Sequence, residues 1–134
     1  MNHIAIVLAT VLVTLVIVYV VLTLLRNKRR ARIYVEKWQD LQRYCASKET
    51  WPLAIISADK LLDDALKNRR IKGKTMGERL VTAQHKIKDN DGVWFSHNLA
   101  KKLMDEATVR LVQADVKKSL LGVRQALKDL GVIV

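Results

Sequence analysis

The sequence predicts an all-α protein: an N-terminal transmembrane helix followed by a four- to five-helix bundle. Three observations carry that expectation. Residues 4–25 contain no charge and are rich in Val, Leu and Ile, long enough at about 1.5 Å per residue to cross a hydrocarbon layer of about 30 Å. Pro52 is the only proline and glycine is scarce, which disfavours a turn-rich sheet protein. Downstream of the apolar stretch, large apolar residues recur at three- and four-residue spacing. The domain organisation that follows is a short N-terminus at 1–3, a transmembrane helix at 4–25, a basic juxtamembrane segment at 26–32, and a helical domain at 33–134.

Only Thr10, Thr14, Tyr19 and Thr23 interrupt the aliphatic run of the first helix. Threonine hydroxyls can bond back to carbonyls of the preceding turn, so they do not oppose burial in lipid. A cleaved signal peptide is the competing reading. Met1-Asn2-His3 lacks the usual lysine or arginine, and the apolar stretch exceeds a usual signal core. Arg26, Lys28, Arg29, Arg30 and Arg32 all follow the span and precede the first acid, Glu36. The positive-inside rule then predicts a single-pass protein of the inner membrane, with its N-terminus outside and residues 33–134 in the cytoplasm. The same five cations can hold anionic headgroups at the bilayer surface.

Beyond the span, Ile33, Tyr34, Lys37, Trp38, Leu41, Tyr44 and Cys45 form a helical stripe that can continue from the membrane helix and should fray near Ser47. A second helix is expected from Thr50 as N-cap, with Pro52 in its first turn and Trp51, Ile55, Ala58, Leu62 and Ala65 on one face, widened by Ala54, Leu61 and Leu66. It should run to about Arg70 and end before Gly73. Thr75-Met76-Gly77-Glu78 reads as a capping box opening a third helix with Leu80, Val81 and Ile87 inward. Asp89-Asn90-Asp91-Gly92 breaks the chain before a fourth helix marked by Trp94, Leu99, Leu103 and Met104. The last helix starts around Asp115 with the stripe Val116, Leu120, Val123, Leu127 and Leu130, and Gly131 stands where a C-capping glycine belongs.

The net charge is +11, from 24 basic and 13 acidic residues, so anionic partners are favoured. Lys67, Arg69, Arg70, Lys72 and Lys74 gather around one inter-helix loop, and Lys101 and Lys102 add two more cations on the fourth helix. These seven are the candidate anionic-partner residues, for lipid or RNA phosphates. The loop interleaves no aromatic side chains among its cations, which weakens the nucleic-acid alternative. A loop whose cations meet only water is the plainer reading.

No complete catalytic or cofactor motif is present, so neither an enzyme nor a bound cofactor or metal is expected. The lone cysteine, Cys45, excludes an intrachain disulfide and reads as a packing residue in a reducing compartment. Gly73-Lys74-Thr75 lacks the upstream glycine and strand of a phosphate loop and reads as a turn and helix cap. Asp59 and Asp63, four apart, read as a solvated helix face, with Asp63 pairing to Lys67. His85 and His97 lack the spacing of a zinc site and read as structural or exposed. Trp38, Trp51 and Trp94 lie on or beside apolar stripes, which points to core packing.

The segments Ala58 to Asp63, Gly73 to Leu80, Trp94 to His97 and Leu127 to Gly131 resemble small membrane-anchored bacterial proteins whose soluble part is a HEPN-type helical domain, over roughly residues 50–131. The resemblance implies a helical bundle that dimerises, and a family in which an Arg followed after four to six residues by His carries metal-independent ribonuclease activity. Here the corresponding positions hold Ala100 and Asp105, so the usual acid–base group is missing. Arg79 and His85 have the bare spacing, but on the third helix, where the motif does not belong.

The expectation is therefore a membrane-anchored, non-catalytic interaction module that binds the bilayer and a homodimer or protein partner. The alternatives are a HEPN-like RNA-binding protein or weak ribonuclease, and a small subunit of a larger membrane complex, for which Ala5, Ala9 and the threonines could supply a small-residue face.

Overall fold

The computed structural model describes all 134 residues and contains helices and no strands. Helix α1 spans Asn2–Gln42, two short 3-10 turns follow at Arg43–Ala46 and Lys48–Thr50, and then come α2 (Trp51–Asn68), α3 (Met76–Ala83), α4 (Asn90–Asp105) and α5 (Gln113–Asp129). The all-α expectation holds. Two compact units divide the chain, Met1–Ile33 and Tyr34–Val134.

In the first unit, α1 carries one stretch long and apolar enough to cross a membrane. Its aliphatic side chains, from Ile4 to Leu25, are exposed. The hydroxyls of Thr10, Thr14 and Thr23 donate to the carbonyls of Val7, Val11 and Tyr19 at 2.8 Å. Each threonine thus satisfies itself within the helix, as expected.

In the second unit, α2 is the spine. Ile55, Ala58, Leu62, Ala65 and Leu66 are fully buried, and Tyr34, Trp38 and Leu41 from the end of α1 join them in the core. Trp51 Nε1 donates to the Cys45 carbonyl at 3.1 Å, while the Tyr34 hydroxyl accepts from Asn68 Nδ2. These two bonds, at opposite ends of α2, set residues 34–42 antiparallel to it.

Helix α4 is also antiparallel to α2. Asp59 meets His97, and Ile55 shares a core cluster with Ala100 and Val116. Helix α5 is parallel to α2, because Val116 packs at the Ile55 end and Arg69 reaches Gly131 at the other. The α4–α5 crossing is a seam of small residues: Gly92, Ser96 and Ala100 on one helix, Ser119, Gly122 and Ala126 on the other, all buried. A Cβ on Gly122 would stand 2.6 Å from the Gly92 carbonyl carbon and 2.8 Å from its oxygen. Only glycine permits that approach.

Several local expectations need correction. The end of the first helix is not among them: it frays as expected, its α form giving way after Gln42 to a 3-10 turn over Arg43–Ala46 that breaks at Ser47. Thr50 does not cap α2 with its side chain. Its backbone is already helical, and its hydroxyl donates to the carbonyls of Tyr44 and Ser47 at 2.6 and 3.0 Å, closing the turn behind it. Thr75 does cap α3, accepting from the Glu78 amide at 3.2 Å, but the Glu78 carboxylate reaches the Lys74 amide, at 2.7 Å, instead of the Thr75 amide. Val81 and Met104 are exposed, because the short α3 buries only Met76, Arg79, Leu80 and Ala83 and α4 turns its Ser96–Ala100 side inward. Asp89 does more than break the chain: its carboxylate accepts from the Gly92 amide at 2.9 Å and caps α4. Helix α5 begins two residues earlier than its first acid, at Gln113.

Helices α2 and α5 end alike. Ile71 N–H bonds to the Leu66 carbonyl and Arg70 N–H to that of Lys67; Val132 and Gly131 repeat the pattern on Leu127 and Lys128. Both are Schellman closures, which place one residue in the left-handed region. Gly131 takes it in α5 with φ +70°, as expected, and Arg70 takes it in α2 with φ +57°.

Candidate functional site

Helix α2 presents two carboxylates one turn apart, and each takes a cation from a different helix. Asp59, 5% exposed, has both oxygens 3.1 Å from His97 Nδ1 on α4. With two carboxylate oxygens facing it, Nδ1 holds a proton whenever Asp59 is ionised. Burial pushes the Asp59 carboxyl above its ordinary value; the His97 hydrogen bond and charge oppose the rise, and the neighbouring Asp63 adds to it. Trp94 closes over the imidazole edge-on, ring centroids 5.9 Å apart.

One turn on, Asp63 Oδ1 accepts from Arg79 Nε at 2.8 Å and stands 2.7 Å from Arg79 Nη2. Its second oxygen lies 3.1 Å from Lys67 Nζ. Arg79 Nη1 also donates to the Gly73 carbonyl at 2.8 Å. The guanidinium therefore ties α3 and the loop before it onto α2, using the planar fork that a lysine lacks.

The expectation of a solvated Asp59–Asp63 face is overturned. Only the Asp63–Lys67 pair survives from it; Asp59 is buried, and Asp63 faces Arg79. The reason is tertiary: His97 and Arg79 arrive from α4 and α3, which local helix spacing cannot reveal.

Acid–base work requires a group within hydrogen-bond reach of a substrate proton. His97 has Nδ1 committed to Asp59 and lies buried. Arg79 is buried against α2, whereas His85 is exposed past the end of α3, so the Arg–His spacing brings no pair together. Ala100 is buried in the α4–α5 seam, and Asp105 is exposed at the last residue of α4.

The candidate cations fall into two groups. Lys67 is paired with Asp63, and Arg69 Nη2 donates to the Gly131 carbonyl at 2.9 Å, which neutralises exposed carbonyls at the end of α5. Arg70, Lys72 and Lys74 are exposed and make no ion pair. Lys101 and Lys102 are exposed near the end of α4, level with the Ile55 end of α2. From Ile55 to Lys67 is about 18 Å along the helix axis. Lys101 and Lys102 therefore do not join the 67–74 cluster in one surface. Arg26, Lys28, Arg29, Arg30 and Arg32 are exposed on α1 within the first unit.

Sequence reasoning missed the Asp59–His97 and Asp63–Arg79 pairs. A usable signal existed: two acids at i and i+4 on the side of α2 next to Ala58, Leu62 and Ala65, with one histidine and one arginine on stripes that otherwise read as core. Comparison with known proteins returns nothing similar: no protein-family model, curated protein or solved structure matches this chain.

Proposed function

We propose that this chain is a membrane-anchored, non-catalytic helical interaction module, with residues 33–134 on the cytoplasmic face of the inner membrane, where they hold a protein partner or a second copy. The observation that carries the reading is the use made of the titratable side chains. His97, Asp59, Arg79 and Asp63 are spent on internal bracing, while Arg70, Lys72, Lys74, Lys101 and Lys102 are left on the outside. Such a molecule offers surface rather than chemistry. The orientation rests on the five cations that follow the apolar helix, and the second copy on the HEPN-like resemblance.

The test is the mass of the full-length protein in lipid nanodiscs, alone and after exposure to a membrane extract. Two copies per disc, or one copy with a stoichiometric protein partner, is the expected result. A protein that remains a single copy and retains nothing overturns the module. RNA cleavage lost on substitution of His97 would overturn its non-catalytic character.

A further inference from the structure

The end of the domain where the chain enters is also the end that carries the basic loop. Tyr34 is the first residue of the second unit, and its hydroxyl accepts from Asn68 at the close of α2. The 67–74 segment leaves α2 there, pinned by the Schellman closure at Arg70, by Arg69 on Gly131 and by Arg79 on Gly73. Ile71, half-buried against the core, fixes the loop from inside. Arg70, Lys72 and Lys74 are thereby held outward on an ordered backbone. Of the nearest carboxylates, Asp63 is paired with Arg79 and Lys67, Glu78 accepts from the Lys74 amide, and Asp129 accepts from the Lys88 amide and Gln125, while Asp64, exposed on α2, makes no ion pair.

Residues 26–33 alone separate the apolar stretch from Tyr34, a contour of at most about 30 Å. A cation at this end of the domain is thus tethered within reach of a bilayer surface, whereas Lys101 and Lys102 sit at the far end of α2 and α4. Nucleic acid is the less suited partner: no aromatic side chain lies between Lys67 and Thr75 to stack on a base, and headgroup phosphates require none.

We propose that Arg70, Lys72 and Lys74 form a docking surface for anionic phospholipid headgroups, by which the domain lies down on the bilayer that anchors its own helix. This rests on the membrane reading above. Juxtamembrane cations of this kind act additively through the surface potential and are screened by salt.

The experiment uses the full-length protein in vesicles, with Cys45→Ser and a fluorophore on Lys72→Cys, or on Lys102→Cys as the far-end reference. Phosphatidylcholine carrying a headgroup nitroxide quenches whatever lies near the surface. Adding phosphatidylglycerol to the vesicles should increase quenching at position 72 but not at 102. High salt, or Arg70→Glu with Lys74→Glu, should abolish the increase; tryptophan emission verifies that these exposed variants remain folded. Equal quenching with and without phosphatidylglycerol, an equal increase at both positions, or salt-independent quenching overturns the proposal. So does an RNA oligonucleotide that binds the same loop on neutral vesicles while phosphatidylglycerol changes nothing. Flotation of the protein with alkaline-washed neutral vesicles separates the two layers of inference. Failure to float removes the anchor and the docking surface together, and flotation without added quenching removes the docking surface alone.

Discussion

Replacing Arg79 by methionine keeps much of the aliphatic volume and deletes the fork that joins α3, the Gly73 loop and α2. Three polar contacts disappear: Nε and Nη2 on Asp63 Oδ1 at 2.8 and 2.7 Å, and Nη1 on the Gly73 carbonyl at 2.8 Å. The arginine side chain is 8% exposed and that of Asp63 20%. Hydrogen bonds to charged groups contribute about 1.5–3 kcal/mol each, and removing one partner of a buried pair costs about 3–5 kcal/mol. Asp63 retains Lys67 at 3.1 Å and some water, so the lower end, about 3 kcal/mol, is expected. For a domain of this size that lowers Tm by roughly 12–24 °C. Trp38, Trp51 and Trp94 all lie in the second unit, so urea unfolding of the full-length protein in detergent, followed by tryptophan emission, reads this unit alone. Arg79→Lys should lose about half as much, because it keeps the charge and loses the fork. In a double-mutant cycle with Asp63→Asn, Arg79→Met should show coupling of about 1–2 kcal/mol. A methionine variant within about 0.5 kcal/mol of the parent, the ordinary range of a surface change, would refute the bracing role.

Three further outcomes are expected. Gly122→Ala places a methyl 2.6 Å from the Gly92 backbone, so α4 and α5 must part; a loss of about 3 kcal/mol in urea unfolding is expected, and an unchanged midpoint would show that the seam is looser than described. Arg70→Gly relieves a left-handed arginine, φ +57°, and should leave the domain about 1 kcal/mol more stable than Arg70→Ala; a glycine variant less stable than the alanine one would contradict the strain. Burial raises the Asp59 carboxyl above its ordinary 3.8, so the folded state binds the Asp59 proton more tightly than the unfolded chain does. That contribution is fully present below pH 3.8 and is lost as pH rises through the raised folded value. Asp59→Asn, which cannot ionise, should therefore gain on the parent as pH climbs from 3.8 and level off above the raised folded value. A variant that loses ground to the parent over the same range would reverse the sign of the burial effect.

The amphipathic stripes of α2 and α5 were legible because burial there follows a single helix face: Ile55, Ala58 and Leu62 are spaced by three and four, and Val116, Val123 and Leu127 by seven and four. Caps were legible where side chain and amide are neighbours in sequence, as at Thr75 and Gly131. Thr50 failed because the same hydroxyl had a better use in the turn behind it. Helix α4 was read from Trp94, Leu99, Leu103 and Met104, yet its buried positions are Gly92, Val93, Ser96, His97 and Ala100. Small residues bury little area but let helices approach closely, and a search for bulky apolar residues passes over them. The carboxylates of α2 were hidden for another reason. Whether an acid on a helix faces water or a cation depends on what the rest of the chain brings to it, and His97 and Arg79 come from 38 and 16 residues away.

The most direct measurement is protease accessibility of the domain in sealed membrane vesicles of both orientations. Residues beyond Arg26 should be digested in inside-out vesicles and protected in right-side-out ones, with a fragment containing residues 4–25 resisting in either case and remaining after an alkaline wash. Digestion of the domain from the opposite side would invert the orientation, and release by the wash would show that the apolar helix does not anchor the chain.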